Sequence, residues 1–595
     1  MRIPVPRIVA LAAVALAATG LTACGGSSSS NSSSSGSPVS GGTLRLAASG
    51  DVSIAHFDPV AAYSTTESQL ERGYTRQLDT WPASNNFQTA TSIVPDAATA
   101  VPTKANGGIS ADGLTYTFHI RQGVTWNTSP PRQVTSQDFL RGFKRMGNPQ
   151  APVGNPGYYQ STIQGFNAYF NAYQACKCST AAQDAQFQNG HNISGITTPD
   201  PATIQFKLTA PANDFPQVVG MPFASAAPAE WDSYLPGSPQ LAQHMTSDGP
   251  YMVSSWTPNK QIVMTRNPAW KQSSDPVRHQ YVSKVQLTEG ISNPQTVQQE
   301  MQAGSTDMSW DQAFPPADIP QMEATKDPNF HVYPGHVSNP YVVFNAVSGP
   351  TTNLQVRQAI EYAVNKVAVA KAYGGVAINP PISTAIPPGN IGFVNYNLYP
   401  SPGNNGDPNK CKQTLASTPY AHGLKLVMGY RTTGNHPAVF AAVQQSLAQC
   451  GITVTGKSFN GSDLYSFLQT PSNTKGGKWN IAEPGWIPDW FGNNGRSTLQ
   501  PLFTSPCIPQ TTNYGCYNDQ TTNNLVNKAL TAPDTTTAAS YWHQADMQIM
   551  KDAAIVPLMN NDTPWYHSSR VKNAIWDPRD VTFDITQLWL NPNKP

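Results

Sequence analysis

Tyr341-Val342-Val343-Phe344-Asn345, followed by Val356-Arg357-Gln358-Ala359-Ile360-Glu361-Tyr362-Ala363-Val364, is the stretch whose reading decides the fold class. The first run is short, apolar and β-branched, as a buried strand requires. The second places apolar side chains at 356, 359, 360, 363 and 364, one face of an amphipathic helix. Downstream the alternation continues: a strand over Leu424 to Met428, a helix over Val439 to Gln449 and a strand over Ile452 to Val454. Strands that take turns with helices argue an α/β lobe. No period of 20–50 residues repeats along the chain, which excludes a solenoid.

Upstream, Thr43-Leu44-Arg45-Leu46 alternates as a half-buried strand does, and folded structure is expected from about Gly42. A helix is expected from near Thr66 through Leu70 towards Leu78. Leu114 to Ile120 alternates strictly after the turn Ala111-Asp112-Gly113 and reads as a hairpin strand. Thr135 with Asp138 three positions on marks a helix start. Residues 147 to 195, rich in Asn, Gln, Gly and Ala, read as a loop-and-helix insertion with no assignable chemistry. Strands follow over Thr203 to Leu208, Ile262 to Asn267 and Val282 to Leu287, then a helix from Val297 to Ala303.

The chain has 595 residues, several domains' worth of core, and only 12% are charged, against about 25% in typical soluble domains. A net charge of +1 gives no electrostatic basis for binding nucleic acid or an anionic membrane. Aromatic residues are 10% of the chain, with 13 Trp and 23 Tyr; flat rings serve a core and equally the wall of a concave site.

The N-terminus carries its own message. Arg2 and Arg7 form a positive n-region before a short apolar run, Ile8 to Ala18, too short to span a bilayer and suited to a secretory signal over residues 1–23. The signal ends in Leu21-Thr22-Ala23-Cys24, which looks like a lipobox: Cys24 would take a diacylglycerol and become the mature N-terminus. Residues 24–41 are Gly/Ser-rich and cannot bury enough apolar surface to fold, so they read as a flexible tether. The expected location is outside the cell, lipid-anchored to the outer face of a bacterial cell membrane. Six cysteines remain: Cys176, Cys178, Cys411, Cys450, Cys507 and Cys516. Six allow 15 pairings; Cys507–Cys516 and Cys411–Cys450 are favoured as local, with Cys176–Cys178 left over as a very tight ring. Their spacings match no zinc pattern and no His pair accompanies them, so no metal is expected.

Ser110-Ala111-Asp112-Gly113-Leu114-Thr115-Tyr116-Thr117-Phe118-His119-Ile120-Arg121-Gln122-Gly123-Val124, with Trp126 and the Thr135-to-Asp138 helix start, resembles the signature of the family 5 extracellular solute-binding proteins, the peptide- and nickel-binding receptors of ABC importers. Trp126-Asn127-Thr128-Ser129 departs from the family's usual turn. Further matches keep the family's order: Gly195-Ile196 with Asp200 and Thr203; Gly249-Pro250-Tyr251, Trp256 and Arg266-Asn267-Pro268-Ala269-Trp270; Gly304 to Asp307; Val356 to Ala359 with Tyr362 to Asn365; and Ala554 to Leu558. The resemblance covers about 43 to 590, nearly the whole mature chain. It implies an α/β, two-lobed fold of the periplasmic-binding-protein type, of the large class with an extra subdomain, hinged around a central cleft. Lobe I would be 42–332 plus 556–595, with a subdomain at about 80–195; lobe II would be 333–555, and the chain would cross near Tyr333 and Val556.

The resemblance also implies site residues. Gly485-Trp486-Ile487-Pro488-Asp489-Trp490 is similar to the family motif whose aspartate holds a peptide's α-ammonium, with Trp486 as an apolar wall. A structural alternative stays open: Asp489 caps a helix and Trp486 is core. The motif's usual proline is absent, Phe491-Gly492-Asn493-Asn494 standing there. His436 lies where some oligopeptide binders bring a histidine to the ligand's C-terminal end, and Arg431 is a second partner for a ligand carboxylate. Tyr63-Ser64-Thr65 matches a segment that lines the cleft from the first lobe. Glu483 stands where some oligopeptide binders have arginine, and an acid there favours a cationic ligand or repels a terminal carboxylate.

The expected function is capture of di- or oligopeptides outside the membrane and delivery to the permease of an ABC importer, by a monomer without cofactor. Alternatives are a receptor for a nickel chelate, haem or cationic metabolite, a signalling or adhesion lipoprotein on the same fold, or an exported hydrolase. Neither a G-x-S-x-G elbow nor an H-E-x-x-H helix is present, so no catalytic residue is assigned.

Overall fold

The structure is a computed structural model, and it describes residues 37–594 except 51, 54, 313, 462, 509 and 510. The signal segment, Cys24 and most of the tether lie outside the described residues.

Two five-stranded sheets organise the chain. In the first, Thr43–Ala47 pairs in parallel with Lys284–Thr288 on one side and Met308–Ser309 on the other. Gln261–Arg266 then runs antiparallel to Lys284–Thr288, and Tyr251–Thr257 antiparallel to Gln261–Arg266. The inward set of these alternating strands is Leu44, Leu46, Ile262, Met264, Val285 and Leu287, all at most 1% exposed. C-terminal residues Trp565, Phe583 and Leu588 pack into the same core. The chain's end thus closes the first sheet.

In the second sheet Leu424–Arg431 lies between Ile452–Phe459 and Ile481–Ala482, parallel to both. Val342–Phe344, buried at all three positions, runs antiparallel to Ile481–Ala482 and to Ile555–Val556. The α/β reading of this region holds, with a mixed rather than wholly parallel sheet. The helix Leu354–Ala363 turns the small and branched side chains of Val356, Ala359, Ile360 and Ala363 to the core. It starts at Asn353, whose side chain accepts from the N–H groups of Gln355 and Val356.

A third, three-stranded sheet joins Thr115–His119, Thr203–Lys207 and Ile196–Asp200, all antiparallel. The helix Ser136–Arg145 begins as the sequence indicates: the Asp138 carboxylate accepts from the N–H and hydroxyl of Thr135. The 147–195 insertion holds the helices Gly157–Gln160, Phe166–Ala175 and Ala181–Gly190. Their aromatic residues Tyr158, Tyr159, Phe166, Phe170 and Tyr173 fill the core of this part.

One helix is shorter than its periodicity suggests. It spans Thr65–Tyr74, not to Leu78. Thr75 is extended and caps it, and Arg76 turns inward to a buried ion pair with Asp96 at 2.8 Å. The three cysteine pairs are Cys176–Cys178, Cys411–Cys450 and Cys507–Cys516. Among the described residues no helix is long and apolar enough to cross a membrane, and no group of three His, Cys, Asp or Glu could hold a metal ion.

Two passages of chain run side by side, once in a separate two-stranded sheet and again within the second sheet. Phe330–Tyr333 pairs antiparallel with Thr563–Tyr566, and Val342 faces Val556.

Candidate functional site

Gly485 to Trp490 follows the strand Ile481–Ala482 out of the second sheet. A side chain at 485 would meet the Asn339 side chain, so glycine lets the loop lie close against it, and the Gly485 N–H donates to the Tyr465 hydroxyl at 3.2 Å. Trp486 is half-buried against the second-sheet core, and its indole N–H donates to the Ser497 carbonyl at 2.8 Å. It thus shows one partly open face beside a fixed edge.

Asp489 is held from the opposite side. Its Oδ2 accepts the Tyr158 hydroxyl at 2.6 Å and the Tyr63 hydroxyl at 3.3 Å. Asn155 supplies a further hydrogen bond. Burial pushes its pKa up to about 6, against those hydrogen bonds, which pull it down. Among the described residues no Lys, Arg or His forms an ion pair with it. Asp489 is therefore not a helix cap here; it is an acid supplied with neutral donors and no cation.

Tyr63 keeps 37% of its surface open, yet surrounding protein raises its phenol well above the ordinary value, with Asp489 adding to the effect. Tyr63 immediately precedes the helix Thr65–Tyr74, whose N-cap is Ser64, its hydroxyl accepting from Glu67 N–H at 3.3 Å. Ser64 and Thr65 thus start the helix that aims Tyr63. Tyr514 lies close enough for Tyr63, Asp489 and Arg431 to act on its phenol or it on theirs.

Glu483, Arg431 and His436 form one cluster. Glu483 is fully buried. Its carboxylate accepts from the Arg431 backbone N–H at 2.7 Å and from Arg431 Nη2 at 3.3 Å, and His436 Nδ1–H donates to it at 2.7 Å. Burial lowers the His436 pKa, partly offset by Glu483. The Arg431 guanidinium also sits over the Tyr465 ring, 5.4 Å from its centroid. The acid at 483 is thus not presented bare to a ligand in this conformation, because a desolvated carboxylate needs these partners. Its charge and that of Arg431 are spent on each other.

Three contributors escaped the sequence reading: Asn155, Tyr158 and Tyr514. Asn155 and Tyr158 lie in the insertion to which no chemistry was assigned, 331 positions from Asp489 in the case of Tyr158. Nothing local marks them; only the fold brings them to the acid.

The segment after Asp489 is clamped to the same side. Trp490 is fully buried in the core of the three-stranded-sheet region, 5.0 Å from the Tyr158 ring. Arg496 pairs with Asp214 at 2.8 Å and donates to the Thr162 hydroxyl at 2.7 Å.

Comparison with known proteins places this geometry in a family. The model described as bacterial extracellular solute-binding proteins, family 5 Middle, matches residues 92–506. Di/tripeptide-binding protein 4 of Pseudomonas aeruginosa is 26% identical over 466 residues, 76% of this chain and 79% of that protein. Heme-binding protein A of Haemophilus influenzae is 26% identical over 490 residues, 79% of this chain and 80% of that protein. The solved structure of clavulanic acid biosynthesis oligopeptide binding protein 2 matches with a TM-score of 0.81 at 24% identity, over 93% of this chain and 96% of that one. The likeness fixes the architecture as the two-lobed α/β fold of these binding proteins. The match of the family model over most of the chain, together with this fold, means that the chain belongs to the bacterial extracellular solute-binding proteins of family 5.

Proposed function

We propose that the protein is the peptide receptor of an ABC importer, exported, anchored through lipid on Cys24, and acting as a monomer without catalysis. Lobe I comprises 42–332 and 556–595 and lobe II 333–555. The paired passages at Phe330–Tyr333 with Thr563–Tyr566 support a hinge there. The ligand enters between the lobes, and its α-ammonium takes the place beside Asp489.

The observation that carries this reading is Asp489 itself: a carboxylate from one lobe, met by Tyr63 and Tyr158 of the other, with no cation of the protein's own among the described residues. An ammonium completes it by charge-assisted hydrogen bonds, strong where water is excluded. Trp486 and Tyr63 supply wall, and His436 and Arg431 stand further along the cleft. The relative that binds di- and tripeptides agrees with this ligand class; the haem-binding relative shows that the family takes other guests, and no observation at this site favours one.

Titration calorimetry with a tripeptide pool tests the reading. Asp489→Ala is expected to weaken binding at least tenfold, the cost of leaving an ammonium unpartnered being about 1.5–3 kcal/mol. Unchanged affinity would overturn the assignment of Asp489. Cys24→Ala is expected to release the protein from membranes into the soluble fraction; continued membrane retention would overturn the lipid anchor.

A further inference from the structure

Resting on the reading that Asp489 takes the ligand's ammonium, we propose that the preferred ligand is a cation whose far end is uncharged, such as a C-terminally amidated peptide, rather than a peptide with a free carboxylate. Among the described residues Asp489 has no ion-pair partner, while the guanidiniums that act on the tyrosines around it are each matched by a buried acid. Among the described residues the guanidiniums that act on the site's tyrosines are Arg431, on Tyr514, and Arg496, on Tyr158. Arg431 is bound to Glu483 at 3.3 Å and Arg496 to Asp214 at 2.8 Å. Both acids are buried, Glu483 fully and Asp214 at 3% exposure.

A free carboxylate on the ligand must find its own countercharge. To take Arg431 it would have to displace Glu483, which would then be left buried with only His436. Leaving a buried charge without its partner is strongly unfavourable, more so than the gain from the new pair. His436 offers no substitute, since its Nδ1–H is given to Glu483 and burial disfavours its charged form. Directly around Arg431, the Tyr465 ring beneath it and the Tyr514 phenol are neutral. Phenol hydroxyls and ring faces suit amide groups and apolar side chains.

The test uses the full chain and one tripeptide pool in three forms: free acids, C-terminal amides, and N-acetylated amides. Native mass spectrometry reads the bound fraction of each form in direct competition. The amides are expected to outcompete the free acids at least tenfold, and the N-acetylated amides to be absent from the complex. Free acids bound equally or better would overturn this inference while leaving the peptide-receptor reading intact. Retention of the N-acetylated amides, or of no form at all, would overturn that reading and this inference with it. A charge-release variant gives a second, internal readout. Glu483→Gln frees Arg431 and is expected to move the preference towards free acids at least tenfold relative to wild type; an unchanged preference would show that Arg431 does not face the ligand's far end.

Discussion

At the scale of single residues, Asp489 links ligand binding to pH. Its pKa in the ligand-free protein is raised to about 6, chiefly by burial. An ammonium binds the ionised form, so protons compete with ligand. Affinity is expected to be constant above about pH 7 and to weaken up to about tenfold per unit below pH 6. Calorimetry across that range checks it, with Asp489→Asn as the control that loses the dependence; a flat wild-type profile would contradict it. The same shift has a sign for stability. The folded pKa lies above the unfolded one, so the folded state holds the extra proton, and stability from this group rises as pH falls through 6 and is lost at neutral pH. Asp489→Asn is therefore expected to raise the Tm of ligand-free protein at neutral pH while weakening binding. A lower Tm would show that the ionised carboxylate stabilises the fold. Asp489 and Trp486 were legible from the local motif. Tyr158 and Tyr514 were not, because a hydroxyl that meets an acid from a distant segment leaves no trace in nearby spacing. Glu483 was legible as an acid, but its neutralisation by Arg431 and His436 depends on strand register, Arg431 being adjacent through the parallel pairing of Leu424–Arg431 with Ile481–Ala482.

At the scale of elements, most strands and helices follow from periodicity, because alternation and the helical repeat are set by which face is buried. Thr115–His119 and Leu354–Ala363 are examples. The helix Thr65–Tyr74 marks the limit. Leu70, Tyr74 and Leu78 continue a helical spacing, yet the chain turns extended at Thr75, and Arg76 turns in to Asp96. The second lobe's helices also carry a covalent tie. Cys411, within Pro408–Leu415, is joined to Cys450, just after His436–Ala448, both in the same apolar core. The pairing closes a loop of sequence separation 39. Replacing both cysteines by serine is expected to cost about 4 kcal/mol of stability on the chain-entropy estimate. Denaturant unfolding measures it; an unchanged midpoint would mean that the core alone holds these helices.

At the scale of the whole molecule, residues 489–496 fasten the segment that leaves the second sheet to the region of the three-stranded sheet. Trp490 is buried among aromatic side chains of the three-stranded-sheet region, and Arg496 neutralises Asp214. Arg496→Ala would leave Asp214 buried without its partner, and a loss of about 3–5 kcal/mol is expected. Denaturant unfolding of ligand-free protein checks this, and a loss below about 1 kcal/mol would contradict the clamp. The two-lobed architecture was legible only through motifs spread from the first strand to the last, since no local pattern states that residues after Val556 return to the first sheet. The central claim is that the lobes meet over a guest whose positive end faces Asp489. A crystal structure of the protein with a bound tripeptide amide tests it most directly. The ligand's terminal nitrogen is expected at ~3 Å from the Asp489 carboxylate, with the Tyr63 and Tyr158 hydroxyls still on that carboxylate. A bound peptide with its amine elsewhere, or an Asp489 carboxylate turned out of the space between the lobes, would contradict it.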